Sequence, residues 1–347
     1  MSMPGRRDET GGEPSEAPRI SVIMPVYNAE RLLGECLAAL RASERTAHEL
    51  LIVDDSSTDR SREIAAAAGC RVIPSGGRLG PAGARNKGVA EATGDVLFFV
   101  DSDVMVRPDT LCRLSEAFAA DPTLDGVIAV QAPAMRFRNI CSRYKNLWMY
   151  YTYVRRAGED VPLFYTTAAA IRRQAFLDSG GFDLNYRDPN VEDTDFGQTL
   201  ARQGYRIRVL PELEVEHVKG YDLRSLLRVD FLRSMSLARL KLRKRADTIG
   251  SNDTSVPTGY IVSVPLVGLA VLLLCLAAIM GSKGLLVGTI IAICAILVLN
   301  RPFLRLLHLH GGMAVGALGA GLLLVELFTA GLGSAYGIAT FIAGKKY

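Results

Sequence analysis

Hydrophobic positions in the N-terminal part of the chain fall in short runs separated by stretches with helical spacing. ISVIMPVY (20–27), LLIV (50–53), RVIP (71–74) and VLFFV (96–100) are runs of strand length. Helical patterns cover Glu30–Ala42, the stretch ending in IAAAAG, and Ala82–Ala92. A continuous apolar run, unlike an alternating one, suits a strand covered on both faces. Strands alternating with helices at this spacing predict an α/β domain with a largely parallel central sheet. Ligands of such sheets sit beyond the carboxyl ends of the strands, so polar residues there are the first candidates for chemistry.

The pattern changes near Tyr260. From there to Tyr347 the only charged residues are Lys283, Arg301, Arg305, Glu326, Lys345 and Lys346. Tyr260–Met280 has 21 residues without a charge, enough to cross a hydrocarbon core of ~30 Å. Gly284–Leu299 follows a GSKG turn, which predicts a membrane hairpin. Arg301 and Arg305 then share a side with the Lys241–Arg245 cluster, and the positive-inside rule makes that side cytoplasmic. A third apolar stretch, Gly311–Gly344, carries Glu326 and two GxxxG spacings, Gly312/Gly316 and Gly333/Gly337, of the kind that lets helices approach closely. If it spans, Lys345 and Lys346 end outside; if it re-enters or lies in the interface, they stay inside. Glu326 reads either as functional at membrane depth or as a residue near an interface.

Composition divides the 347 residues accordingly. Residues 1–18 are polar and rich in Gly, Pro and Glu, lack a signal-peptide core, and read as a disordered leader. Residues 19–218 form the globular domain, 219–255 a basic amphipathic juxtamembrane region, and 256–347 a membrane domain with apolar segments at 260–280, 284–300 and 311–344. The net charge of +4 averages opposing regions. Nine Lys or Arg residues between Lys219 and Arg245, against Asp222 and Asp230, suit lipid headgroups or lipid phosphates better than nucleic acid. A solvated face that obeys membrane topology explains them as well. Six cysteines without a CxxC pair suggest neither a disulfide framework nor a zinc site.

Three acidic clusters stand at strand ends or helix starts: Asp54, Asp55 and Asp59 in IVDDSSTD; Asp101 and Asp103 in FFVDSDV; Glu192, Asp193 and Asp195 in NVEDTDF. Singly, each has a structural explanation as a cap, a turn or first-turn acidity. Together with PVYNAE, GPAGARNKG (80–88), GGFD (180–183) and EDTDFGQTLARQGY (192–205), their order and spacing resemble the family 2 glycosyltransferases from about Ile20 to His217. The resemblance implies a glycosyltransferase A-type mixed sheet flanked by helices, a nucleotide-diphospho-sugar donor, a divalent metal and inversion at the anomeric carbon.

Carried over residue by residue, the resemblance makes Asp103 a hard-oxygen ligand of Mg²⁺ or Mn²⁺ and Asp101 a contact to the ribose or sugar. Asp55 matches the aspartate that meets the base, with Pro25, Tyr27 and Glu30 lining the same pocket; Asp54, its neighbour, is the alternative contact. A carboxylate accepts from a ring N–H, which uracil and guanine offer, so UDP- or GDP-sugars are favoured. Arg85, beside Asn86 at the start of a helix, approaches the nucleotide or sugar, or else lies on the helix surface. Asp193 is the general base, Glu192 supports it or touches the acceptor, and Asp195 is structural. His217 is a third metal ligand or a structural histidine. Arg228 and Arg233 are candidates to hold a diphosphate or lipid phosphate. FYTTAAAIRR (164–173) departs from the Gly- and Asn-bearing strand of many relatives, so the sugar pocket is not carried over. The QxxRW motif of processive synthases is absent.

The expected protein is therefore an integral protein of the cell membrane with a cytoplasmic catalytic domain. It is a metal-dependent, hexosyltransferase-like enzyme acting on a hydroxyl acceptor, a lipid or lipid-linked saccharide. The alternatives are a polyprenyl-phosphate sugar synthase and a non-catalytic nucleotide-sugar-binding membrane scaffold. Asp103 and Asp193 together speak against the scaffold. A nucleotidyltransferase lacks its Gly-rich strand-to-helix signature here, because PVYNAE occupies that place.

Overall fold

The computed structural model describes residues 17–244 and 254–347. Most of the expected leader, and Arg245 of the basic cluster, lie outside the described residues. Each apolar run is a strand: β1 (Ile20–Val26), β2 (Glu49–Asp54), β3 (Arg71–Pro74) and β4 (Val96–Val100). Between them lie α1 (Leu33–Arg41), α2 (Ser61–Ala67) and α3 (Gly80–Glu91). The four strands pair in parallel. Ile23, Leu51, Val53, Leu97 and Phe99 enter one buried cluster, while Val22, Met24, Ile52 and Phe98 enter the other. Successive side chains point to opposite faces of a strand, and both faces here are covered, which accounts for the uninterrupted runs.

Past β4 the sheet becomes mixed, which corrects the largely parallel expectation and agrees with the mixed sheet that the family resemblance implied. The elements are β5 (Val104–Val106), α4 (Thr110–Ala120), β6 (Gly126–Gln131), α5 (Ile140–Val154), β7 (Ala168–Arg172), α6 (Arg173–Ser179), α7 (Glu192–Arg202) and β8 (Ile207–His217). The sheet order is β3-β2-β1-β4-β7-β6-β8-β5. β7 runs antiparallel to β4 and β6. The chain leaving α5 reaches the carboxyl end of β4, where Ala168 pairs with Val100, so β7 enters the sheet from the opposite end. That reversal brings Thr166 and Thr167 to the functional end of the parallel strands.

Four helices follow: α8 (Leu223–Arg243), α9 (Thr258–Met280), α10 (Lys283–Leu299) and α11 (Arg301–Ile342). Asp222 caps α8 in a reciprocal box with Ser225. α9 and α10 form a hairpin that ends at left-handed Gly281 and is tied at its base by Asn300 Nδ2 donating to Ser263 Oγ at 2.8 Å. By length and composition, α9 and α11 are apolar enough to cross a membrane.

The third apolar segment differs from its expected form. It is continuous with residues 301–310, and Gly312 interrupts it with φ 76° and ψ −177°. This glycine of the first GxxxG spacing is thus a bend. The first limb packs Phe303 against Tyr144 and Trp148 of α5. The second limb lies along α8, where Gly333 and Gly337 meet the backbone at Phe231 and Met235, leaving no room for a Cβ. At the chain end Tyr347 donates to Asp183 at 3.0 Å and packs edge-on to Tyr186. Both ends of α11 therefore touch the sheet domain, and Lys345 and Lys346 lie on its side.

Glu326 has a specific setting: it accepts from Tyr144 and lies 3.7 Å from Lys145 Nζ, which also pairs with Asp230 of α8. All four side chains are buried. Removing one partner from such a group leaves an uncompensated charge, so this network fixes how α5, α8 and α11 meet.

Candidate active site

A cleft of about 430 Å³ opens at the carboxyl ends of β1, β2 and β4. Pro25 and Tyr27 come from the end of β1, Asp55 from the end of β2, and Asp101 and Asp103 from the turn between β4 and β5. Asp55 accepts from the backbone of Leu79 at 2.7 Å and Gly80 at 2.9 Å, which holds the loop before α3. Arg78 pairs with Asp55 at 3.1 Å and covers the Tyr27 ring at 3.2 Å from its centroid. Arg78 was not singled out from the sequence; an arginine between glycines in SGGRLG is an unremarkable loop residue until its stacking partner is known.

Two expected neighbours are not brought to the cleft. Asp54 is buried, accepting from Ser57 N and pairing with Arg62, so it fixes the loop after β2. Glu30 is exposed and accepts from Arg60 N at 3.1 Å, bracing the loops after β1 and β2 against each other. Asp59 likewise braces them, accepting from Ser61 and Glu30 N.

Arg85 lies within α3 rather than at its start, is buried rather than on the helix surface, and lines the cleft. Its guanidinium donates to Asp101 Oδ1 at 2.8 Å and to Glu192 Oε1 at 3.2 Å. Burial opposes its charge, but Asp101, Glu192 and Asp193 outweigh that and keep it cationic. It joins the second and third acidic clusters across the floor of the cleft. Asp193, in the first turn of α7, accepts from Thr194 N at 2.6 Å. Burial and the adjacent Glu192 push its carboxyl up to about 6, against the opposing pull of Arg233 and Arg85. Asp195 points away from the cleft, to Tyr186, Arg243 and Lys244.

Sheet register places His217 opposite Val104, next to Asp103, with Nε2 at 3.3 Å from Asp103 Oδ2. Burial raises the Asp103 carboxyl, but His217 and Lys219 outweigh it and hold it below its ordinary value. Gln131 stands 2.9 Å from His217 Nδ1 and donates to Tyr165 at 2.8 Å. With the Gln131 amide reversed, its oxygen accepts from Nδ1–H and leaves the Nε2 lone pair free for a metal. Among the described residues no group of three or more His, Cys, Asp or Glu stands ready to hold a metal. A carboxylate oxygen and an imidazole nitrogen on one side of a cleft do fit Mg²⁺ or Mn²⁺ whose remaining ligands are phosphate oxygens.

The opposite wall belongs mostly to residues the sequence did not reveal: Lys145, Asn146 and Met149 project from α5, and Tyr165 precedes β7. Arg233 of α8, a phosphate-binding candidate from the sequence, lines the same wall. The available signal was a lone Lys-Asn pair in the aromatic helix ICSRYKNLWMYYTYV. Arg228, on the same helix as Arg233, is exposed and does not line the cleft.

The family model for glycosyl transferase family 2 matches residues 21–180. A pre-mycofactocin glycosyltransferase of Mycobacterium tuberculosis is 30% identical over 213 residues, covering 59% of this chain and 44% of that protein. An uncharacterized protein of the same organism is 29% identical over 215 residues, covering 57% of this chain and 66% of its own length. The chain thus spans less than two thirds of either relative. The mannosyltransferase PcManGT from Pyrobaculum calidifontis, solved with GDP-Man and Mn²⁺, superposes with a TM-score of 0.60 at 21% identity over 90% of each chain. That likeness shows a shared fold. Residues 21–180 are thus similar to a family 2 glycosyltransferase domain, and the fold is of the glycosyltransferase A type.

Proposed function

We propose that the protein is a membrane-anchored inverting glycosyltransferase that moves a sugar from a UDP- or GDP-sugar to the hydroxyl of a lipid or lipid-linked saccharide. The carrying observation is Asp193, a buried carboxylate in the cleft whose pKa is raised to about 6, near the value that suits a general base. The acceptor oxygen attacks the anomeric carbon as its proton passes to Asp193. The bond from that carbon to the diphosphate oxygen breaks with inversion, and the nucleoside diphosphate leaves. Asp103 and His217 would hold the divalent ion, which neutralises charge on the leaving diphosphate when bound. Asp55, Arg78 and Tyr27 form the nucleotide end, with Arg78 and Tyr27 a stacking platform. Asp101 faces the ribose or sugar, held by Arg85, and Glu192 orients the region of Asp193.

The α9–α10 hairpin is the anchor in this reading. Its base packs on the sheet domain, with Trp148 and Tyr260 ring centroids 4.7 Å apart, and the catalytic face is cytoplasmic. Lys145 and Arg233 on the acceptor wall favour one second reading, a polyprenyl-phosphate acceptor already ionised near neutrality. A donor screen in nanodiscs with Mg²⁺ or Mn²⁺ tests the main proposal; release of nucleoside diphosphate from none of the UDP- or GDP-sugars overturns it. Product lability separates the acceptors, since a bond cleaved by mild acid identifies the phosphate acceptor.

A further inference from the structure

A second cavity, of about 420 Å³, opens where the loop after β6 meets α5 and the bend in α11. Its walls include apolar Met135, Phe137 and Leu147, and it is bordered by Arg138, Arg143 and His310, with no carboxylate in the lining. Arg138 is exposed and makes no hydrogen bond or ion pair among the described residues. Arg143 Nη2 donates to the His310 carbonyl at 2.7 Å, just before the break at Gly312 interrupts the helix. Two guanidiniums beside an apolar wall match a ligand with an anionic phosphate and a hydrocarbon part.

The surroundings select the source of such a ligand. Next to the cavity α11 exposes Leu309 and Met313, and the same limb presents Arg301, Arg305 and His308 to the outside. Basic and apolar side chains mixed on one exposed face are the signature of the bilayer–water boundary. A free phosphate would leave the apolar walls unused. We propose that this cavity holds the phosphate headgroup of an anionic bilayer lipid between Arg138 and Arg143, with its acyl part over Phe137 and Leu147. The site is separate from the sugar-donor cleft and does not rest on the transfer reaction.

Native mass spectrometry of the full chain in a non-ionic detergent, titrated with phosphatidylglycerol, phosphatidylcholine or inorganic phosphate, tests the site. One phosphatidylglycerol is expected to be retained with ~10-fold preference over phosphatidylcholine. Arg138→Ala, a surface change, is expected to lower that affinity ~10-fold, and Ala134→Trp, which fills the mouth, to abolish it. Nucleoside diphosphate binding in the main cleft serves as the folding control and stays unchanged. Equal retention of the two lipids, wild-type affinity in Arg138→Ala, or displacement of the lipid by equimolar inorganic phosphate overturns the proposal.

Discussion

His217 Nε2 lies 3.3 Å from Asp103 Oδ2 because the antiparallel register of β5 and β8 sets Val104 against His217. Two potential metal donors 114 positions apart in the chain thus meet through strand pairing. His217→Ala is expected to raise the Mn²⁺ concentration for half-maximal activity by ~10- to 100-fold. A metal titration of nucleoside diphosphate release reads this directly. An unchanged titration curve would make His217 a structural histidine.

Asp193 sets the second prediction. Its carboxyl is protonated at acid pH and must lose that proton to act as a base, so kcat/KM is expected to rise through about 6 and level off above it. Asp193→Asn removes the basic oxygen and should lower kcat by roughly 10²- to 10⁴-fold, with donor affinity measured by calorimetry nearly unchanged. A profile flat from acid to neutral pH would falsify the assignment.

The seam between α8 and α11 gives the third. A side chain at Gly333 or Gly337 meets backbone rather than a movable side-chain tip, so α11 must lift from α8. Gly337→Leu is expected to cost about 1–3 kcal/mol, read as a lower melting temperature in detergent and faster proteolysis. A variant as stable as the parent would mean that this contact does not hold α11 in place.

The buried charges predict an asymmetry. Lys145→Met leaves Asp230 and Glu326 facing each other without their cation and should destabilise by ~3–5 kcal/mol. Glu326→Gln keeps an acceptor for Tyr144 and the Lys145–Asp230 pair, so its effect should be smaller, within ~1.5 kcal/mol. Denaturation midpoints of the two variants decide. Equal losses would show that the network is not organised around Lys145.

The parallel half of the sheet was legible because strands buried on both faces must be continuously apolar, and β3 and β4 match their runs residue for residue. Asp55, Asp101, Asp103 and Asp193 were legible only together: a position after a strand or at a helix start left each with a structural explanation, and the order and spacing of the three clusters carried the resemblance that singled them out. Asp54 and Asp55 were indistinguishable as letters, and their consecutive side chains point apart, Asp54 to Arg62 and Asp55 to the cleft. The reversal of β7 was not visible in AAAIR, because direction depends on where the connecting loop delivers the chain.

The C-terminal helices divide in the same way. Length and apolarity of α9 are local properties, and the sequence by itself determined that a long apolar hairpin follows the sheet domain. A GxxxG spacing states only that something approaches closely. Tertiary structure decided that Gly333 and Gly337 receive α8 while Gly312 bends the helix. It likewise matched Glu326 with Lys145 and Tyr144, and placed Lys145 and Arg233 opposite the acidic floor. The physical reason is common to all of these. Hydrophobic periodicity specifies which face of an element is buried, whereas the partner on that face is selected by packing and charge compensation between segments far apart in the chain.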